Sequence, residues 1–336
     1  MKRLSALFAT ALAAIAVAAP GSATGEALRV DSSIIAHFGV GSMQRAFGRL
    51  EFVGGITYSS RDPLIGAVSS IRFRPDGTHF VAVLDTGHWL TGAIRRDEEG
   101  GLAGLADLHV TSMLNADGRN ENAKLLMDAE GLALAPGAAI VSYEQHHRVD
   151  VYPDPGFETS GPKRSYPIPF PRKELRINRG FETLVVAPAD GPLAGAPVIV
   201  AERSLDADGN LLAAILDGPM KGSFTVVRND PWDVTDGAFL PNGDLLLLER
   251  RFRLADGVGM RIRRIKGTEI RPGAVVDGEV LIDADMSHQI DNMEGLDVLQ
   301  LPDGDIRIIV VSDDNHSILQ RNLMLEFRLI DGLQPS

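Results

Sequence analysis

Four acidic residues, Glu130, Glu182, Asp236 and Glu294, each open a short apolar stretch. A second set, Asp85, Glu144, Glu202, Glu249, Asp313 and Asp314, lies where the next apolar stretch ends. Several carboxylate oxygens with no soft ligand among them suit a hard divalent cation, Ca²⁺ first and Mg²⁺ second. Like charges gathered in this way are costly without a cation. The metal-ligand candidates are Glu130, Glu182, Asp236, Glu294, Asp313 and Asp314. The competing use of such acids is to accept backbone N–H groups and fix turns.

Arginines stand beside the acids: Arg203, Arg250 and Arg251, and Arg179 three residues before Glu182. Guanidinium groups clamp phosphate bidentately, so Arg179, Arg203 and Arg250 are the substrate-binding candidates. Pairing with the neighbouring carboxylates is the alternative. The eight histidines are scattered. His146 and His147 follow Glu144, His316 follows Asp313 and Asp314, and His88 follows Asp85. His146 and His316 are the candidates for proton transfer or ligation on that rim. His79 and His288 are expected to be structural, and Trp89 and Trp232 to pack in the core.

Several chemistries are excluded. No Gly-x-Ser-x-Gly elbow occurs, nor an Arg-His-Gly signature, nor a His-Glu-x-x-His zinc helix. Without a cysteine there is no thiol nucleophile, thiolate metal site or disulfide. The formal net charge is -12, and it becomes more negative by two if the segment carrying Lys2 and Arg3 is removed. Such a chain lacks the basic face that nucleic acid or an anionic membrane surface requires.

The elements that must position these residues repeat. In each unit a first strand meets a Pro/Gly-type turn, and a second, more hydrophobic strand ends in an acid. Anchors fall at 70, 130, 182, 236 and 294. The turns are Pro75-Asp76-Gly77, Pro136-Gly137, Asp190-Gly191, Pro241-Asn242-Gly243 and Pro302-Asp303-Gly304. Units of 52 to 60 residues hold about four strands each, the period of a propeller rather than a sandwich. The expected fold is an all-β propeller of six blades, with five or seven as alternatives. The sixth blade would join Leu28–Tyr58 to Leu323–Ile330 and so close the ring without a free edge. A start and the following strand end share one face of a propeller, so both acidic sets are expected at one channel mouth. The proline-rich stretch 152–176 reads as a surface excursion inside the second blade.

The N-terminus reads as a secretory signal. Lys2 and Arg3 precede an apolar run, and Pro20, Gly21, Ser22 and Ala23 offer a cleavage site, placing the signal at 1–23. The rest, 24–336, reads as one domain, exported to the periplasm or secreted. It is expected to be monomeric, without stable membrane insertion.

Ordered blocks along this domain resemble the bacterial family called "esterase-like activity of phytase". They are Asp128-Ala129-Glu130-Gly131-Leu132, Asn178-Arg179-Gly180-Phe181-Glu182, Leu240 to Arg250, Asp291-Asn292-Met293-Glu294-Gly295, and Ser312-Asp313-Asp314-Asn315 followed by Leu325-Glu326-Phe327. The resemblance spans about Phe52 to Ile330. It implies an exported, phytase-like propeller that hydrolyses esters or phosphoesters. One departure is Ser69-Ser70, where the other repeats carry an acid. The expected function is then a metal-dependent hydrolase of a small anionic or ester substrate. The acids hold Ca²⁺, Glu182, Glu294, His146 and His316 are the catalytic candidates, and the arginines hold phosphate. Two alternatives are a non-catalytic propeller that binds a small molecule or an envelope partner, and a lactone or sugar-acid hydrolase using Asn178, Asn292 or Asn315.

Overall fold

The computed structural model describes residues 27–120, 124–171, 174–175, 180–255 and 257–330. The expected signal segment, with Asn178 and Arg179, lies outside the described residues. The described strands form five sheets arranged as the blades of a propeller. Blade 1 is the meander Val68–Phe73, His79–Leu84, His88–Arg96, Leu102–Ser112. Blade 2 is Ala129–Ala135, Ala138–Tyr143, Arg148–Pro153, Arg164–Tyr166. Blade 3 runs Thr183–Val186, Pro197–Leu205, Leu211–Ile215, Gly222–Val226, and adds Val275–Val276 in parallel. Blade 4 is Asp233–Phe239, Leu245–Arg253, Gly257–Ile265, Glu279–Ala284.

Blade 5 corrects the expected count from six to five. Its inner strands are Asn292–Gln300, Ile306–Asp313 and Asn322–Leu329, and Leu50–Ser60 pairs antiparallel with the last of these. Val30–Ile35 then covers Leu50–Ser60 on the outside. The two chain ends therefore complete the fifth repeat instead of building a blade of their own. The ring still closes by pairing N- and C-terminal strands, as hydrogen-bond economy at a sheet edge requires. The proline-rich stretch is also more than an excursion. Arg164–Tyr166 is the outer strand of blade 2, and Phe157 packs on Trp89 with ring centroids 4.6 Å apart.

Local chemistry explains the repeats. At the first turn Asp76 Oδ1 accepts from the amides of Thr78 and His79, and Gly77 takes φ +66°, which favours glycine. Strands buried on both faces read as apolar runs, such as Leu245–Leu248. Five apolar layers fill the gaps between successive blades. Burial at about 25 cal/mol per Å² makes these layers the main stabilising term.

The innermost strands, Val68–Phe73, Ala129–Ala135, Thr183–Val186, Asp233–Phe239 and Asn292–Gln300, surround the axis. Adjacent ones approach closely: a Cβ on Gly131 would lie 2.6 Å from Glu182 O. The axis itself is polar and blocked. Arg72 of blade 1 projects into it and is buried. Its Nη1 donates to Ile71 O, Leu296 O and Asp236 Oδ2 at 2.6, 2.8 and 2.9 Å. Its Nη2 donates to Leu184 O, Asp236 Oδ1 and Gly237 O at 3.0, 2.8 and 3.0 Å. Asp236, fully buried, also accepts from Ser70 Oγ and the Leu296 amide.

Replacing Arg72 by Met leaves Asp236 charged and uncompensated, so a loss of about 3–5 kcal/mol in urea unfolding is expected. The double variant Arg72→Met/Asp236→Leu is expected to recover most of it. A single-variant loss under about 1 kcal/mol would show the pair to be dispensable.

Candidate functional site

The candidate site is a well above Arg72, at one mouth of the axis. It encloses 180 Å³ and is lined by Ser69, Asp85, Glu130, Glu144, Glu182, Glu202, Arg250, Glu294, Asp313 and Asn315. Two tiers build it. In the inner tier Ser69 and Glu294 are bulge residues of their strands, Glu130 lies within a similar shift, and Glu182 immediately precedes Thr183–Val186. A bulge takes one residue out of the ladder and re-aims its side chain, here toward the axis. The outer tier comes from the far parts of the second strands: Asp85 and Glu144 just past their strands, Asp313 at the last position of its strand, and Glu202 and Arg250 within the last few residues of theirs.

Blade 4 breaks both tiers. Its bulge residue is Thr235, whose hydroxyl donates to Met293 O at 3.1 Å. Asp236 is therefore back in the ladder opposite Leu248, one residue deeper, where it meets Arg72 instead of the well. The same register puts Arg250 where the other blades carry an acid. Glu249 turns away and is buried between Arg261 and Arg263, with 2.6 Å to Arg263 Nη2. Asp236, expected as a ring ligand, is thus a partner of the axial arginine.

The remaining expected residues divide. Glu130, Glu182, Glu294 and Asp313 meet in the well. Asp313 Oδ1 accepts from the amides of Ala67 and Asn315 at 2.6 and 2.8 Å, so it also ties two blades together. Asp314 lies behind, accepting from Asn322 Nδ2 at 2.7 Å. Arg250 reaches Glu294 at 2.7 Å and Glu202 at 3.7 Å, and donates to Asn292. Arg203 lies to one side, paired with Asp233. His146 and His316 are both exposed and line neither the well nor its neighbouring cavity. His147 packs over Gly180 next to Glu144: a Cβ on Gly180 would meet its ring at 2.8 Å. His88 lies at the start of its strand with Nδ1 beside Thr86 Oγ1, and burial lowers its pKa. His79 and His288 pair with Asp76 and Asp285, and Trp89 and Trp232 are buried, as expected.

Among the described residues, two groups of carboxylates come close enough to hold one ion each. The ligand oxygens of Asp128, Glu130 and Glu144 lie within 4.8 Å of one another, as do those of Glu144, Glu182 and Glu202. Metal–oxygen distances of 2.3–2.6 Å put two ligands on opposite sides of a calcium about 5 Å apart, so both groups fit a hard cation. Asp128 was not singled out in the sequence, although it stands two residues before Glu130; only its position at a strand start could have signalled it. Electrostatics agree with the fit. Burial first, and then the neighbouring carboxylates, push Glu130 and Glu182 well above the usual carboxylate range. Burial raises Glu294 from 4.5 to about 7, although Arg250 opposes the rise. Asp313 is raised by burial too.

Comparison with known proteins gives a family. The model of the Phytase-like family, described as "Esterase-like activity of phytase", matches residues 63–316. No curated protein matches the chain. Among solved structures, the β-propeller domain of Cps50 (Swd1) from Myceliophteria thermophila is 12% identical, with a TM-score of 0.35, over 77% of this chain and 71% of that one. The Dos1 propeller is 12% identical, with a TM-score of 0.38, over 78% of this chain and 61% of that one. Neither likeness bears on chemistry.

The raised acids give a stability test. A carboxyl whose folded pKa exceeds its unfolded value stabilises the fold fully below the unfolded value and loses that contribution as pH rises through the folded one. For Glu294 this window runs from 4.5 to about 7. The chelator-treated protein is therefore expected to lose melting temperature across that window, and Glu294→Gln is expected to flatten the loss. A melting temperature that rises with pH over the same interval would contradict the burial of these charges.

Proposed function

Since this chain belongs to the Phytase-like family, we propose that it is an exported hydrolase of phosphoesters or related esters that works with a divalent cation, Ca²⁺ by choice of ligand. The observation that carries this reading is the pair of carboxylate groups sharing Glu144, four of whose five residues line a small well beside an arginine. Asp128, Glu130, Glu144, Glu182 and Glu202 would hold the cation. When bound, it would polarise the ester's phosphoryl or acyl oxygen and lower the pKa of the attacking water.

The chain's own groups do the rest. Arg250, which interrupts the outer tier of acids, offers its guanidinium to an anionic oxygen of the substrate. Glu294, fixed through Oε1 by Arg250 and Asn292, lies in the same well and accepts the proton of the attacking water. The water oxygen bonds to phosphorus or the acyl carbon, the ester P–O or C–O bond breaks, and the alcohol leaves with the proton that Glu294 returns. The signal-like N-terminus supports export, where calcium is plentiful. A second reading, a cation-binding propeller without catalysis, is favoured by the way Arg250 and Arg203 are already engaged by Glu294 and Asp233.

Calorimetry with Ca²⁺ tests the site. Binding with a gain in melting temperature is expected for the wild type. Glu144→Gln, which touches both ligand groups, is expected to weaken binding at least about tenfold and to depress ester hydrolysis in parallel. Absence of both heat and thermal shift would overturn the metal site. Binding without hydrolysis of any phosphate or carboxylate ester would favour the second reading.

A further inference from the structure

A second cavity, of 340 Å³, adjoins the well and shares Glu202 and Arg250 with it. It extends over the end of blade 4, where the hairpin Leu245–Arg253 and Gly257–Ile265 continues beyond Arg250. Phe252 and Val258 stand opposite each other in the register and form its apolar wall. Phe252 is 68% exposed, a large aromatic surface with nothing from the described chain covering it. The rest of the lining is polar, with as many acids as arginines: Arg203 is held by Asp233, and the Arg251 guanidinium lies 5.2 Å from the Trp232 ring centroid.

We propose that this cavity receives the organic part of the substrate, and that the substrate is a phosphate monoester of an aromatic or compact apolar alcohol, not a polyphosphate. The assignment rests on the hydrolase reading of the well. Its geometry is that of one anionic group at Arg250, with the ester oxygen at the boundary of the two cavities and the alcohol against Phe252 and Val258. A polyanion fits badly. Beyond Arg250, further phosphates would meet Glu202, Asp233 and Asp291, while of the two other arginines in the lining Arg203 is committed to Asp233 and Arg251 lies against the Trp232 ring. A flat apolar group instead covers an exposed phenyl ring, for which aromatic contacts contribute about tenfold in affinity.

The test uses the full calcium-loaded chain with three esters: 1-naphthyl phosphate, glycerol 2-phosphate and inositol hexakisphosphate. The naphthyl ester is expected to have the highest kcat/KM. Phe252→Ala is expected to lower the naphthyl-to-glycerol ratio of kcat/KM about tenfold, through the KM of the naphthyl ester. Phenylphosphonate, which has no ester bond to hydrolyse, is expected to bind the wild type and to bind Phe252→Ala about tenfold more weakly by calorimetry. An unchanged ratio in Phe252→Ala, or a preference for inositol hexakisphosphate, overturns the assignment while leaving hydrolysis intact. If no ester is turned over but phenylphosphonate binds and Phe252→Ala weakens it, the hydrolase reading fails and the cavity is left as a binding site for aryl anions, not a substrate pocket.

Discussion

The interior of the ring depends on Arg72. Five inner strands brought around one axis present backbone carbonyls to a space with little water, and an unsatisfied buried carbonyl is expensive. A single guanidinium, with five N–H donors in a fixed fork, satisfies carbonyls from blades 1, 3, 4 and 5. That solution buries a positive charge, which demands a buried negative one. Asp236 supplies it, and Asp297 lies nearby, accepting from the Phe73 amide at 2.6 Å and raised by burial to about 6. Burial raises Asp236 as well, with Arg72 opposing. The plug thus has two consequences: it ties four blades together, and it gives the space above it a floor.

What stands on that floor is the reverse arrangement, an excess of one sign. Among the described residues, the well gathers Asp85, Glu130, Glu144, Glu182, Glu202, Glu294 and Asp313 against one arginine, Arg250. Such a space has only two inexpensive states: protonated, or loaded with a cation. Folding offsets this charge only in part: Arg250 meets Glu294 and Glu202, and backbone amides reach Asp313 and Glu144. Glu249, enclosed by Arg261 and Arg263, shows the fuller pairing that the fold uses away from the well.

The sequence made the repeat legible because turn chemistry and apolar runs are local. All five inner strands, all five second strands, and the meeting of Glu130, Glu182, Glu294 and Asp313 follow from it. What it hid was register. Asp236-Gly237 resembles Glu130-Gly131 and Glu294-Gly295, so pattern alone assigns the acid to the same place. A bulge shifted by one residue in blade 4 moves Asp236 to the axis and Arg250 to the rim. Nothing local marks that shift. Arg72 was invisible for a related reason: its partners lie 112 to 224 residues away, apart from its own neighbour. The count of six failed because the chain ends were assigned a blade of their own, when pairing across the closure had already used them to finish the fifth.

The corrected count has chemical weight. Residues at one height around a propeller axis are separated by a distance that grows with the number of blades. Six blades would set the same carboxylates around a wider opening, where water could screen them and three oxygens would be less readily brought within reach of one ion. With five blades the inner strands touch, as the approach of Gly131 to Glu182 O requires. Glu144 of blade 2 is then held within 4.8 Å of Glu182 and Glu202 of blade 3, whereas the group of Asp128, Glu130 and Glu144 is built by blade 2 alone. The closeness that makes the acids repel is the closeness that lets them share a cation. Closure of the ring by its two chain ends therefore fixes the dimensions of the site as well as the stability of the fold.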